Sequence, residues 1–114
     1  MRYRTAGDYW EEDNGKVCFR IASMSNPFTE GLLAIHEIVE WMLIKRAGIR
    51  IEDIDKFDKK FEDNRMPGNV DEPGDELSAP YHKQHVWATI IERQVAALMN
   101  INWKEYDEAV QEVS

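Results

Sequence analysis

Fourteen consecutive residues, Gly31 to Ile44, read Gly-Leu-Leu-Ala-Ile-His-Glu-Ile-Val-Glu-Trp-Met-Leu-Ile, and the only ionisable side chains among them are His36, Glu37 and Glu40. A helix that is apolar nearly all round is buried nearly all round. His36 and Glu40 stand four apart and share a helical face, in a stripe that continues through Leu33, Leu43 and Ala47. A carboxylate removed from water without a partner is too costly to persist, so buried glutamates are paired, metal-bound or protonated. Side chains at i and i+4 reach one ion, and the adjacent Glu37 then stands beside that ion as a catalytic base for its bound water. A carboxylate among the ligands widens the choice of divalent metal: zinc comes first, with manganese, iron or magnesium also served.

Two ligands do not hold a metal, and the remaining histidines supply the rest. Tyr81-His82-Lys83-Gln84-His85 opens a later helix, with His82 and His85 three apart and Thr89 and Glu92 continuing the same face. If the two helices pack antiparallel, the candidate metal ligands are His36, Glu40, His82, His85 and Glu92, arranged as in bundles that use Glu-x-x-His on facing helices. Two other readings stay open. The polar residues can form a core network with Arg93, Lys45 or a tyrosine hydroxyl. Alternatively, the apolar helix lies on the surface and is covered only when two copies meet.

With those residues in view, His36-Glu37-x-x-Glu40 (HExxE) resembles the motif helix of the zincin metallopeptidases, in which His-Glu-x-x-His follows a strand. The resemblance implies that His36 is a ligand and Glu37 the general base. Glu40 stands where that family has its second histidine. The layout is also similar to that of small phage-type proteins of unassigned activity. Glu37-x-x-Glu40 with Glu105-x-x-Glu108 resembles the paired acidic motifs of all-α nucleotide pyrophosphohydrolases, although Glu105 falls in a capped, polar helix that reads as surface.

The elements that must position these residues are legible from punctuation and period. Asn14-Gly15 between Tyr9-Trp10-Glu11-Glu12 and Val17-Cys18-Phe19-Arg20-Ile21 predicts a β-hairpin within about residues 3–24, with Val17, Phe19 and Ile21 on one face. Asn26 as N-cap and Pro27 at the first helical position open a helix over 27–47 that stops at Gly48. An amphipathic helix follows over 51–62 on Ile51, Ile54, Phe57 and Phe61. Residues 63–79 carry two prolines and two glycines without a period and read as a long loop, and Asp71 to Glu76 within it reads as a solvated acidic turn because it lacks the ligand spacing of a calcium loop. Helices over 80–100 and 103–112 complete the chain, the latter opened by Asn102 with Glu105. In the third helix Trp87, Ile91, Gln94 and Leu98, with Val86, Ile90 and Ala97, read as core packing. The fold class is α+β, mostly helical: one domain over 1–114 in which an N-terminal hairpin packs on three to four helices.

Composition bounds what such a domain does. With 114 residues, 43% hydrophobic and 11% aromatic, the chain has enough apolar surface for one core and is far from disordered. Its 22 acidic against 14 basic residues give a charge of −8, which repels phosphate backbones and anionic lipid; nucleic acid and membrane are excluded as partners, and a basic protein is the complementary one. No apolar run approaches the roughly 20 residues of a membrane span and no secretory h-region opens the chain, so the expectation is cytoplasmic. A single cysteine, Cys18, leaves any metal to histidine and carboxylate. Two functions remain: a small metal-dependent hydrolase, or a non-enzymatic acidic interaction protein, a phage-type inhibitor or adaptor, whose His/Glu residues only order the core. A homodimer is compatible with either.

Overall fold

The computed structural model describes residues 6–114. Two antiparallel strands, β1 (Gly7–Glu11) and β2 (Val17–Ile21), are followed by α1 (Pro27–Arg46), α2 (Ile51–Asp63), α3 (His82–Leu98) and α4 (Trp103–Val113). This is the mostly helical α+β arrangement expected, a hairpin packed on four helices. The strands pair from Gly7↔Ile21 to Glu11↔Val17. Asn14-Gly15 does not close a two-residue turn: residues 12–16 separate the paired ends, Gly15 alone takes a positive φ of 85°, and the Asn14 side chain accepts from the Lys16 amide instead. The part of the predicted hairpin that falls on residues 1–5 lies outside the described residues.

The helix ends follow their sequence signals. Asn26 accepts from the Phe28 and Thr29 amides ahead of Pro27. At the other end Gly48 (φ 76°) donates to Lys45 O and Ile49 to Ile44 O, the paired bonds of a Schellman stop. Asn100 (φ 55°) repeats the device after α3, with Ile101 bonded to Ala96 O, and two residues later Asn102 caps α4 through the Glu105 amide. That tight corner folds α4 back against the C-terminal part of α3.

The apolar core is in two pieces. Leu32, Leu33, Ala96, Tyr106 and Val110 form one, and Tyr9, Ile44, Ile54, Ala79 and Tyr81 the other. Along α1 the first piece takes Leu32 and Leu33 and the second takes Ile44, so His36, Glu37 and Glu40 fall between them. Along α3, Ala96 belongs to the first and the preceding Tyr81 to the second, with His85 and Glu92 between. A polar layer is thus held between two apolar ones.

The hairpin lies along α1 by a match of periods. Alternate residues of a strand are about 6.6 Å apart and successive turns of a helix about 5.4 Å, so one strand face can meet one helix face step by step. Gly7 sits against Glu37, the Tyr9 hydroxyl donates to Glu40, and Glu11 meets both the Trp41 indole and Lys45. Two expectations are corrected. The region 63–79 is not structureless: Pro73–Asp75 forms a 3₁₀ turn that docks on α2 and α3. And the Trp87 stripe of α3 is not core: Trp87, Ile90 and Leu98 are 48%, 49% and 83% exposed, because α3 spends its inward face on Gln84, His85, Ala88, Glu92 and Ala96. No helix is long and apolar enough to cross a membrane among the described residues.

Candidate metal centre

His36, Glu37, Glu40, His85 and Glu92 are all buried, at 5 to 9% exposure. Glu40 is the hub. Its Oε2 lies 3.0 Å from His36 Nε2 and 2.9 Å from His85 Nδ1, and its Oε1 accepts from the Tyr9 hydroxyl at 2.6 Å. The other nitrogen of each imidazole faces a different carboxylate: His36 Nδ1 is 2.9 Å from Glu92 Oε1, and His85 Nε2 is 3.1 Å from Asp75 Oδ1 and 3.3 Å from Glu72 Oε2. Glu92 in turn accepts from the Tyr106 hydroxyl of α4. The two rings stand edge to face with centroids 4.9 Å apart.

An ionised carboxylate only accepts, so an imidazole flanked by one on each side holds a proton on both nitrogens. Burial opposes that charge on His36, yet Glu40 and Glu92 outweigh it and its pKa is raised well above the ordinary value. Burial likewise works against His85, but Asp75 and Glu40 push it up to about 10. For Glu40, burial raises and the two histidines lower, the net result being about 2. Glu37 is not hydrogen-bonded to either imidazole, and the charge of His36 only partly offsets its burial. Burial first, then the charge of Glu40, holds its carboxyl well above the usual carboxylate range. The Tyr9 and Tyr106 phenols are raised, by burial and by the carboxylates they serve, and remain donors.

Two glycines make room for this packing. A Cβ on Gly7 would lie 2.7 Å from Glu37 Oε1, and one on Gly74 would lie 2.5 Å from the His85 ring. The cluster opens into a cavity of about 580 Å³ lined by Glu37, Glu40, His36, His85, Asp71, Asp107 and others, with Arg65 as the single guanidinium among its described lining residues. A cavity so rich in carboxylates draws cations and repels anions.

The predicted residues divide four ways. His36, Glu40 and His85 converge: one ligand atom from each lies within 4.8 Å of the other two. Glu92 is brought to the same place but behind His36, on the nitrogen turned away from Glu40. His82 is half-buried at the edge, its Nδ1 2.8 Å from the Gly74 carbonyl oxygen, and belongs to neither converging group found among the described residues. Glu37 lines the cavity next to the cluster. Sequence reasoning missed Tyr9, Tyr106, Glu72 and Asp75. The acidic turn is solvated as expected, its four acidic residues all exposed, but it also seats Asp75 and Glu72 on His85. Of the hydrogen-bond partners expected for the buried polar residues, the tyrosine hydroxyls are used, Tyr9 donating to Glu40 and Tyr106 to Glu92, while Lys45 pairs with Glu11 and Arg93 lies over the Trp103 ring.

No protein-family model, no curated protein and no solved structure matches this chain.

Proposed function

We propose that this is a metal-binding protein whose divalent ion is held by His36 Nε2, Glu40 Oε2 and His85 Nδ1, and that the bound ion serves hydrolysis with Glu37 as the base. One observation carries the reading: the three residues bring one ligand atom each within 4.8 Å of one another, with Glu40 Oε2 3.0 Å from His36 Nε2 and 2.9 Å from His85 Nδ1, and the atom of each ligand that would face away from the ion already has its own partner, Glu92 behind His36, Tyr9 behind Glu40 and Asp75 behind His85. Metal-binding histidines characteristically give their second nitrogen to a carboxylate, which fixes tautomer and ring orientation. Two histidines and one carboxylate suit zinc, and accommodate manganese or iron. Three protein ligands leave a position for water, whose acidity the ion would increase. Glu37 is adjacent on the same helix, and a carboxyl that burial holds above the usual carboxylate range has a greater affinity for a proton taken from water. The zincin-like order of ligand and base on one helix supports the same assignment.

Elemental analysis of the untagged protein, with melting before and after chelation, tests the binding step: about one ion per chain and a melting point lowered by chelator are expected. A metal-free protein indifferent to every divalent ion would leave the cluster as a charged core network in an acidic interaction protein. The paired imidazoles and carboxylates at 2.9 to 3.0 Å are what favours that second reading.

Protons separate the two sharply. In the metal-free protein the raised His85 contributes stability that is full below about pH 6.5 and is lost as pH rises toward about 10, and the raised His36 acts in the same direction, while the depressed Glu40 contributes stability present above about pH 4.5 and lost as pH falls toward about 2. These describe one interaction seen from both partners. A metal replaces the proton on His36 Nε2 and the one on His85 Nδ1, so uptake near neutral pH should release about two protons per ion, read by titration in weakly buffered solution. The difference in melting temperature between metal-saturated and metal-free protein should widen from about pH 5.5 to about pH 8.5. Uptake without proton release would remove the imidazoles from the ligand set.

Glu37→Gln tests the catalytic step. The variant should bind metal normally, melt slightly higher because a buried acid becomes a neutral isostere, and lose about 10²- to 10⁴-fold of any metal-dependent hydrolysis of 4-nitrophenyl acetate. Retained hydrolysis would take the base role away from Glu37.

A further inference from the structure

We propose that a second divalent ion binds on the outer side of His85, held by His85 Nε2, Asp75 Oδ1 and Glu72 Oε2, so that one imidazole joins two metal positions. The three residues bring one ligand atom each within 4.8 Å of one another, and Nε2 lies 3.1 Å from Asp75 Oδ1 and 3.3 Å from Glu72 Oε2. Both carboxylates come from a single turn. The Asp75 amide bonds back to the Glu72 carbonyl oxygen at 3.0 Å, and Asp75 Oδ2 accepts from the Glu72 amide at 3.0 Å, which leaves Oδ1 for His85. That turn is fixed to α3 at two points. His82 Nδ1 meets the Gly74 carbonyl oxygen at 2.8 Å, and Gly74 lies against the His85 ring where no Cβ fits. His82 therefore places the outer pair without ligating.

Charge calls for an ion at this position. His85 Nε2 carries at most one proton, and two carboxylates face it. Among the described residues the salt bridges of Glu72 and Asp75 go to His85 and to no other base. The one guanidinium in the cavity lining, Arg65, is taken by Glu62 at 2.8 and 2.9 Å and by the Asn69 carbonyl oxygen at 2.6 Å. The inner ion does not relieve the excess. Four carboxylates, Glu40, Glu92, Asp75 and Glu72, touch two imidazoles, so two negative charges stay unmatched when both rings are protonated. An inner divalent ion brings two charges and displaces two imidazole protons, and the same two stay unmatched. A second ion at Nε2, exchanged for the last proton of that ring, halves the excess. Its position is at the boundary: the His85 side chain is 6% exposed and those of Glu72 and Asp75 are each 52% exposed, so water can complete the coordination. With metal–nitrogen bonds of about 2.0–2.1 Å on both sides of the ring, the ions stand roughly 6 Å apart. That exceeds the roughly 3.5–4 Å of sites whose two ions grip one oxygen, so the outer ion does not share the inner water. It fastens the 72–75 turn to α3 and keeps His85 aimed inward.

The bridge rests on the inner site proposed above; the outer ligand set does not, and one titration separates them. Zinc added to the untagged full-length protein near neutral pH should bind in two steps to about two ions per chain, by calorimetry. The second step should be the weaker, because its carboxylates are half exposed and the first ion repels it, and should release about one further proton. Glu72→Gln, at an exposed side chain outside the inner set, should weaken the second step by more than about 10-fold and leave the first in place. One ion per chain in the wild type, with a titration that Glu72→Gln leaves unchanged, overturns the outer position and leaves the inner one standing. A second step that survives Glu72→Gln combined with Asp75→Asn overturns it too, since that ion binds elsewhere. A single ion that Glu72→Gln removes and His36→Gln keeps upholds the outer position and removes the inner one. Zinc that binds nowhere overturns both.

Discussion

Replacing Glu40 by Gln should abolish the metal-dependent rise in melting temperature altogether. In the wild type, metal at about 100 times its dissociation constant adds about 2.7 kcal/mol to stability. For a chain near this size each kcal/mol moves the midpoint by roughly 4 °C or more, so the expected rise is on the order of 10 °C. Gln presents an amide where the ion needs an anionic oxygen, and it cannot neutralise two imidazoles. Metal affinity should fall by more than about 100-fold, beyond the range typical of outer-shell changes. The metal-free variant should also be less stable than the metal-free wild type. Glu40 serves His36, His85 and the Tyr9 hydroxyl at once, and breaking a buried ion pair from one side costs about 3–5 kcal/mol. The two readouts answer different questions. A lower metal-free midpoint follows from the hub position alone. A lost metal response follows only if Glu40 is a ligand, so a variant that still gains about 10 °C from metal would sink the site as drawn.

How much of this was legible follows from the physics of each signal. The helices announced themselves through local chemistry: Asn26-Pro27, Gly48 and Asn102 act on the nearest amides and carbonyls, and each did what its type requires. The convergence of His36, Glu40 and His85 was also within reach, because three ionisable residues in an apolar helix must face something and α3 carried the complementary set. The outer partners were not. Tyr9 reaches Glu40 from 31 positions away and Tyr106 reaches Glu92 from 14, contacts set by hairpin placement and by the α3–α4 corner. Asp75 looked like any solvated acid because nothing local states that Gly74 lets the turn lie flat on an imidazole ten residues downstream. The Trp87 stripe misled for a related reason. Apolar period identifies a face that avoids water, but it does not say whether that face is covered by the same chain.

The cradle around His85 makes the second large prediction. Gly74→Ala should cost about 1–3 kcal/mol of stability, the range for overpacking a closed site, and weaken metal binding by about 10- to 100-fold. A methyl at this position would sit 2.5 Å from Cγ of the imidazole, 2.7 Å from Nδ1 and 2.9 Å from Cβ, distances that no pair of such atoms tolerates. The ring cannot swing aside freely, because Glu40 holds one nitrogen and Asp75 the other. Relief must therefore come either by tilting the imidazole off Glu40 or by lifting the 73–75 turn, and with it Asp75, off the imidazole. Both routes misplace the Nδ1 lone pair. Gly31→Ala separates this effect from a general intolerance of side chains at glycine. It lies within α1 with nothing within 4 Å of the new methyl, and should raise stability by about 0.5–1 kcal/mol through helix propensity while leaving metal affinity untouched. Parallel melting curves and metal titrations of the two variants should move in opposite directions. If Gly74→Ala instead matches the wild type in both, the turn is free to drift from His85, and Asp75 has no part in orienting the ligand.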